Sequence, residues 1–380
     1  MKFIHLSDLH LGKRVNDFSM LEEQRAILDQ ILSIVDCEAP DGVLIAGDVY
    51  DKAVPPAEAV SLFDDFLVSL SQKQTEVFII SGNHDSPERI AFASRIMEAS
   101  GIHLSPVYQG HVRPTVMEDT HGRVNVYLLP FIKPSHVRRW FEDKEISSYT
   151  DALRVAIREM KVDPSERNVL VCHQFVTGAE RCDSEEIYVG GSENVSADVF
   201  DGFDYVALGH IHGAQNCGSD RIRYCGTPLK YSFSEVKHKK SASIVELGAK
   251  GDAISVRTIS LTPIHDMSEL RGTFAELTDS AFLPESPVRE SYLRITLTDE
   301  QDIPDAVGRL RKIYPNLMLL NYDNARTREN QAVSGATDTE KRSAYDLFAE
   351  FFRTQNNAPM SDEQSAYIKE LIAHIEEETE

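Results

Sequence analysis

Five times in its first 212 residues the chain runs a short stretch of Val, Ile and Leu straight into Asp, Asn or His. The stretches are Phe3–Leu6 before Ser7-Asp8-Leu9-His10, Val43–Ala46 before Gly47-Asp48, Val77–Ile80 before Ser81-Gly82-Asn83-His84-Asp85, Val169–Cys172 before His173, and Tyr205–Leu208 before Gly209-His210-Ile211-His212. Apolar runs of this kind read as strands buried on both faces. Between the first three, residues 19–37 carry Leu21, Ile27, Leu28, Ile31, Leu32 and Val35 at helical spacing, and residues 57–71 carry Val60, Leu62, Phe63, Phe66, Leu67 and Leu70. Strand alternating with helix predicts a layered α/β domain, whose ligands collect at the carboxyl ends of the strands. Gly47, Gly82 and Gly209 stand at those exits, where a missing Cβ lets the backbone turn sharply.

One Asp or Asn after a strand is ordinary turn chemistry, but turns have no use for five histidines. The candidate set is Asp8, His10, Asp48, Asn83, His173, His210 and His212. It joins hard oxygen donors to imidazoles and includes no thiolate, a mixture that suits Mn²⁺ above Mg²⁺ or Ca²⁺, with Fe²⁺ or Zn²⁺ as alternatives. Seven ligands exceed the needs of one tetrahedral ion, whereas two ions sharing a carboxylate would use them all. Two ions about 3.5–4 Å apart are the arrangement that supports in-line phosphoryl displacement by water. His84 is left over. It is read as a transition-state stabiliser or general acid at the phosphate, with Asp85 expected to fix its tautomer or keep it protonated.

Asp8-x-His10, Gly47-Asp48-x-x-Asp51, Gly82-Asn83-His84-Asp85, His173 and Gly209-His210-x-His212 resemble the calcineurin-like metallophosphoesterase signature, in the same order. Phe3–Gly12, Val199–His210 and Gly226-Thr227-Pro228-Leu229-Lys230-Tyr231-Ser232-Phe233-Ser234-Glu235 are similar, more narrowly, to the SbcD family of bacterial nuclease subunits. The resemblance implies a layered metallophosphoesterase sandwich, with Asp8, His10 and His212 on one Mn²⁺, Asn83, His173 and His210 on the other, and Asp48 bridging. It implies that His84 is catalytic with Asp85 behind it. It further implies a Mn²⁺-dependent DNA nuclease, exonucleolytic on duplex ends and endonucleolytic on single strands or hairpins, working with an SbcC-type ATPase subunit that carries a coiled coil, and a homodimer. A small-molecule or cyclic-nucleotide phosphodiesterase, a protein phosphatase and a non-catalytic scaffold for the ATPase are the competing readings.

The domains expected are a nuclease domain over 1–260, a small α/β capping domain over 262–325 with strand Tyr292–Leu297, helix Ile303–Ile313 and strand Asn316–Leu320, and a helical partner-binding segment over 340–380. Residues 325–340 read as a linker. Beyond it, Ala344, Leu347, Phe348, Phe351 and Phe352 form one apolar stripe, and Ala366, Tyr367, Ile368, Leu371, Ile372 and Ile375 form a second. These would either pack on the chain itself or dock onto the partner's coiled coil.

Net charge constrains how DNA is held. The formal charge is -22, the opposite sign to a freestanding DNA-binding module, and half of it falls in the last 120 of the 380 residues. Weak unaided, salt-sensitive DNA affinity follows, with a partner supplying most of the grip. Three basic clusters, Lys13-Arg14, Lys133 with His136, Arg138 and Arg139, and Lys237-His238-Lys239-Lys240, are candidates for phosphate contacts or plain solvated surface. The odd count of five cysteines without a C-x-x-C pair fits reduced thiols, and no apolar run approaches the roughly 20 residues of a membrane span, so a cytoplasmic protein is expected.

Overall fold

The computed structural model describes residues 1–182, 185, 194–281, 283–324, 327, 345, 348–349, 352 and 360–379. The chain opens with β1 (Lys2–Leu6), a short hairpin of β2 (Arg14–Val15) and β3 (Phe18–Ser19), helix α1 (Leu21–Glu38), β4 (Gly42–Ala46), helix α2 (Ala57–Ser71), β5 (Glu76–Ile80) and β6 (Ile102–Leu104). It continues through β7 (Thr115–Asp119), β8 (Gly122–Leu129), a helix over Tyr149–Met160, β9 (Arg167–His173), β10 (Tyr205–Gly209), β11 (Gln215–Cys217) and β12 (Ser219–Tyr224). Strands β13 (Ser241–Glu246) and β14 (Ser255–Ser260) then return to the first sheet.

Two six-stranded sheets result, with orders β14-β13-β1-β4-β5-β6 and β11-β12-β10-β9-β8-β7. Strands β1, β4, β5 and β6 are mutually parallel, as are β8, β9, β10 and β12. Alternate residues of the central strands feed different cores. Phe3, Leu44, Ala46, Phe78 and Ile80 meet Val124, Val126, Val169, Val171, Tyr205 and Ala207 between the sheets. Their neighbours Ile4, Val43, Ile45, Val77 and Ile79 pack with the apolar faces of α1 and α2. Leu170, Cys172, Val206 and Leu208 pack with Leu153, Ala156 and Met160. Burial on both faces is why these strands read as unbroken apolar runs. Each Val, Leu, Ile or Phe among them contributes roughly 1.5–3 kcal/mol, so the face-to-face seating of the sheets is held firmly.

Later in the chain, β15 (Met267–Gly272), β16 (Tyr292–Leu297) and β17 (Leu317–Tyr322) form a three-stranded sheet in that order. The helix expected from Ile303 begins only at Ala306, because Pro304 disfavours a helical residue before it and Asp305 turns left-handed at φ 49°. The chain divides into two compact units, one of Met1–Glu269, Pro284–Arg294 and Tyr314–Leu319, the other of Leu270–Leu283, Ile295–Ile313 and Leu320–Glu380. A helix spans Asp362–Thr379. Ala344, Leu347 and Phe351 of the first C-terminal stripe, and nearly all of the expected linker, lie outside the described residues. Among the described residues no helix is long and apolar enough to cross a membrane.

Candidate metal centre

The carboxyl ends of β1, β4 and β5 in one sheet and of β9 and β10 in the other bring all seven candidate ligands together. Backbone hydrogen bonds lace the exits of β1 and β4, with Asp8 N–H donating to the Gly47 carbonyl at 3.0 Å and His10 N–H to the Asp48 carbonyl at 2.9 Å. Between the sheets, His210 N–H donates to Asp8 Oδ1 at 3.0 Å and His173 Nδ1 lies 2.8 Å from the Ala46 carbonyl. Asp8, His10, Asp48 and His210 all take positive φ, at 53°, 45°, 47° and 100°. Each such residue costs of order 1–3 kcal/mol, which only a surrounding structure as closely seated as this one sustains.

Two of the three glycines work mainly by making room. Only Gly47 has positive φ. A Cβ on Gly82 would overlap Asp48 Oδ1, and one on Gly209 would overlap the Ala46 carbonyl. Gly47 makes the sharp turn expected of it, whereas Gly82 and Gly209 are glycines so that neighbouring strand exits can touch.

Asp48 occupies the middle. Its Oδ2 lies 3.4 Å from His173 Nε2, 3.8 Å from His10 Nε2 and 3.9 Å from His84 Nε2. To one side, Asn83 Oδ1 is 2.9 Å from both His173 Nε2 and His210 Nδ1. To the other, His10 Nε2 and His212 Nε2 face each other at 3.2 Å. Donor atoms of Asp8, His10 and His212 fall within 4.8 Å of one another, as do those of Asp8, Asp48 and His173.

Buried charges crowd here without enough compensation from the protein. Burial lifts Asp8 to about 6 against the pull of His173, and the charge of Asp48 adds to the rise. Burial works the same way on Asp48, but His173, His10 and His84 outweigh it and hold that carboxyl well below the usual range. Burial and the charge of His173 drop His210 to about 3. Among the described residues, His10 Nδ1 is buried with no hydrogen-bond partner. Adjacent carboxylates, lone pairs turned toward one another and an orphaned nitrogen suit bound cations, and hard oxygen with imidazole suits divalent ones.

Asp85 requires a correction. It was expected to hold the His84 ring, yet its carboxylate accepts backbone N–H groups from Val49 at 3.0 Å, Tyr50 at 2.9 Å and Gly82 at 2.9 Å, tying the β4 exit to the β5 exit. The group against His84 Nδ1 is the Asp51 carbonyl, at 3.0 Å. Asp85 follows His84 in the chain but points the other way, toward donors supplied by a different strand exit.

The basic cluster at 237–240 also resolves differently at its last member. Lys240 is buried and donates to Glu235 Oε2 at 2.5 Å, Thr227 Oγ1 at 2.6 Å and the His212 carbonyl at 2.9 Å, which leaves it no phosphate to meet. Lys13 pairs with Asp51 at 2.6 Å. Supports that sequence reasoning missed surround the ligands. Glu235 Oε1 lies 3.6 Å from His212 Nδ1. Burial would lower His212, but Cys182, Glu235 and Asp8 raise it to about 10. Gln24 donates to the His10 carbonyl at 2.7 Å and to Tyr231 Oη at 3.0 Å, while Tyr231 donates to the Leu9 carbonyl at 2.5 Å. Tyr231 and Glu235 belong to the Gly226–Glu235 stretch that carried part of the resemblance, but nothing in its spacing revealed what either touches.

Residues 1–214 match the calcineurin-like phosphoesterase family, and residues 263–356 match the type 5 capsule protein repressor C-terminal domain. The chain is therefore a calcineurin-like phosphoesterase, a metal-dependent hydrolase of phosphoesters. It is 30% identical over 387 residues to the SbcD subunit of nuclease SbcCD from Staphylococcus saprophyticus subsp. saprophyticus, covering 100% of this chain and 99% of that protein. Over 382 residues it is 28% identical to the same nuclease subunit from Staphylococcus epidermidis, covering 99% of each. Within the phosphoesterases it belongs to this family of SbcCD nuclease subunits. Among solved structures it is similar to a dimetal phosphatase from Danio rerio, with 11% identity, TM-score 0.43, and coverage of 69% of this chain and 99% of that one.

Proposed function

We propose that the chain is the Mn²⁺-dependent DNA nuclease of a complex with an SbcC-type ATPase, cutting duplex ends exonucleolytically and single strands or hairpins endonucleolytically in DNA repair, replication and recombination. The observation that carries this reading is Asp48, set between two groups of donors, with His84 beside it but anchored from elsewhere. Asp8, His10 and His212 would hold one ion, Asn83, His173 and His210 the other, and Asp48 would touch both. When bound, two such ions acidify water and neutralise the phosphate oxygens of an in-line displacement.

The remaining work falls to side chains of the protein. Because a carbonyl can only accept, the Asp51 oxygen at 3.0 Å fixes a proton on His84 Nδ1. That leaves Nε2, 3.9 Å from Asp48 Oδ2, as the nitrogen free to work at the phosphate; a second proton, held there, would stabilise charge or pass to the leaving oxygen. Asp85, through Val49, Tyr50 and Gly82, sets how far Asp48 and His84 stand apart.

Helix Asp362–Thr379 leaves Tyr367 and Leu371 exposed at 64% and 41%, which supports docking onto a partner's coiled coil. Phe92 and Ile96, each more than three-quarters exposed, support a homodimer through that region. The chain would act in the cytoplasm. Metal-stripped protein given Mn²⁺ or Mg²⁺ should cleave labelled linear duplex and hairpin DNA, more with the ATPase than without. Turnover of a chromogenic diester without any DNA cleavage, with or without the ATPase, would favour a small-molecule phosphodiesterase instead.

A further inference from the structure

Behind the metal centre, on the Nδ1 side of His212, lies a second group of ligating atoms that includes a thiol. We propose that Cys182, His212 and Glu235 form a site for Zn²⁺, separate from the catalytic ions and inhibitory when filled. The inhibitory part rests on the reading of His212 as a catalytic ligand.

Ligating atoms of these three residues all lie within 4.8 Å of one another. The His212 Nδ1 to Glu235 Oε1 distance is 3.6 Å. Ligands of a tetrahedral Zn²⁺, at about 2.0–2.3 Å from the metal, stand roughly 3.3–3.7 Å apart, so the cluster needs to close by no more than roughly 1 Å. The backbone is already braced for it. Glu185 Oε2 accepts from Cys182 N–H at 3.2 Å, and its Oε1 accepts from His212 N–H at 2.7 Å, holding two ligand-bearing segments together. Glu185 Oε1 also stands 3.4 Å from Cys182 Sγ, within reach of the fourth position. A cavity of about 630 Å³ lined by His212, Arg181 and Gly213 opens beside this cluster.

Ligand chemistry separates this site from the catalytic one. The catalytic set holds no thiolate and suits hard ions, whereas a thiolate beside imidazole and carboxylate selects Zn²⁺ over Mn²⁺ or Mg²⁺. Binding releases the thiol proton and any proton on Nδ1 to solvent. His212 Nδ1 then turns from Glu235 to the zinc. Zinc on Nδ1 would draw electron density from the ring and set a second dication across it from any ion on Nε2, which lies 3.2 Å from His10 Nε2 on the catalytic side, so the catalytic ion would be held less tightly.

Co²⁺ added to the full metal-stripped chain tests the site without any catalysis. A sulfur-to-Co²⁺ charge-transfer band should appear, and Cys182→Ser should abolish it. In the unsubstituted chain, Zn²⁺ should slow alkylation of Cys182 at least tenfold, read by peptide mass spectrometry, while exposed Cys37 reacts as before. With Mn²⁺ present, Cys182→Ser should raise the half-inhibiting Zn²⁺ concentration at least tenfold relative to its own zinc-free rate. No band, a band that survives Cys182→Ser, or Zn²⁺-indifferent alkylation overturns the site. Equal inhibition of both proteins overturns its inhibitory role. A chain that hydrolyses no phosphodiester with Mn²⁺ removes the functional reading, and the band and alkylation then still decide the site.

Discussion

Replacing Glu235 with Gln separates what this buried carboxylate does for stability from what it does for the metal centre. Glu235 is fully buried, with Lys240 Nζ at 2.5 Å and His212 Nδ1 at 3.6 Å. Burial alone would raise this carboxyl, but His212 and Lys240 outweigh it and hold the group well below its usual range. Glu235→Gln keeps the shape and removes the charge, leaving the Lys240 ammonium buried without a counter-ion. Breaking such a pair from one side costs about 3–5 kcal/mol. Glu235→Gln with Lys240→Met removes both charges and should recover most of that loss, less about 0.5–1.5 kcal/mol for the Lys240 bond to the His212 carbonyl at 2.9 Å, since that carbonyl keeps the Thr227 N–H at 3.2 Å. Denaturant unfolding of the four proteins of the cycle measures the coupling. Metal affinity should follow a different pattern, falling about 10- to 100-fold in both proteins that lack Glu235, because the histidine loses its orienting carboxylate either way. Calorimetric Mn²⁺ titration of folded protein reads this. If the double variant recovers metal affinity along with stability, Glu235 serves the fold alone and its proposed hold on His212 is wrong.

His84→Asn should lower kcat by about 10²- to 10⁴-fold while elemental analysis finds the metal content unchanged; loss of both ions would make His84 a ligand. Burial holds His5 neutral, down at about 3, between Tyr205 Oη at 2.9 Å and the Leu208 carbonyl at 3.2 Å. The unfolded chain takes up a proton there that the folded chain refuses, so from about pH 6.5 down to about 3 this residue removes about 1.4 kcal/mol of stability per pH unit. His5→Gln should flatten the acid limb of the stability profile by that slope, and an unchanged limb would refute the assignment. Tyr367→Ala with Leu371→Ala should cut co-purification with the ATPase at least tenfold, and normal recovery would rule out docking through that helix.

Some of the centre was legible because parallel strands buried on both faces have nowhere to put a polar residue except their ends. That made Asp8, Asp48, Asn83, His173 and His210 conspicuous. Asp85 was legible as a residue of interest but not in its role, since adjacency in the chain says little about which way a side chain points after a tight turn. Lys240 looked like surface because a run of basic residues ordinarily is. Nothing in the spacing told that one of them turns inward to a carboxylate five residues earlier.

By itself, the sequence determined the strand–helix alternation, the donor types and their delivery at strand exits, because hydrophobic periodicity and ligand chemistry are local properties. The seating of one sheet on the other decided which donors face Asp48, why Gly82 and Gly209 must lack a Cβ, and that the Asp51 carbonyl rather than Asp85 holds His84. Those are consequences of side-chain packing between elements far apart in the chain, such as His10 and His212, 202 residues apart and 3.2 Å from each other, and only close-packed cores on both sides of the sheets fix distances of that kind.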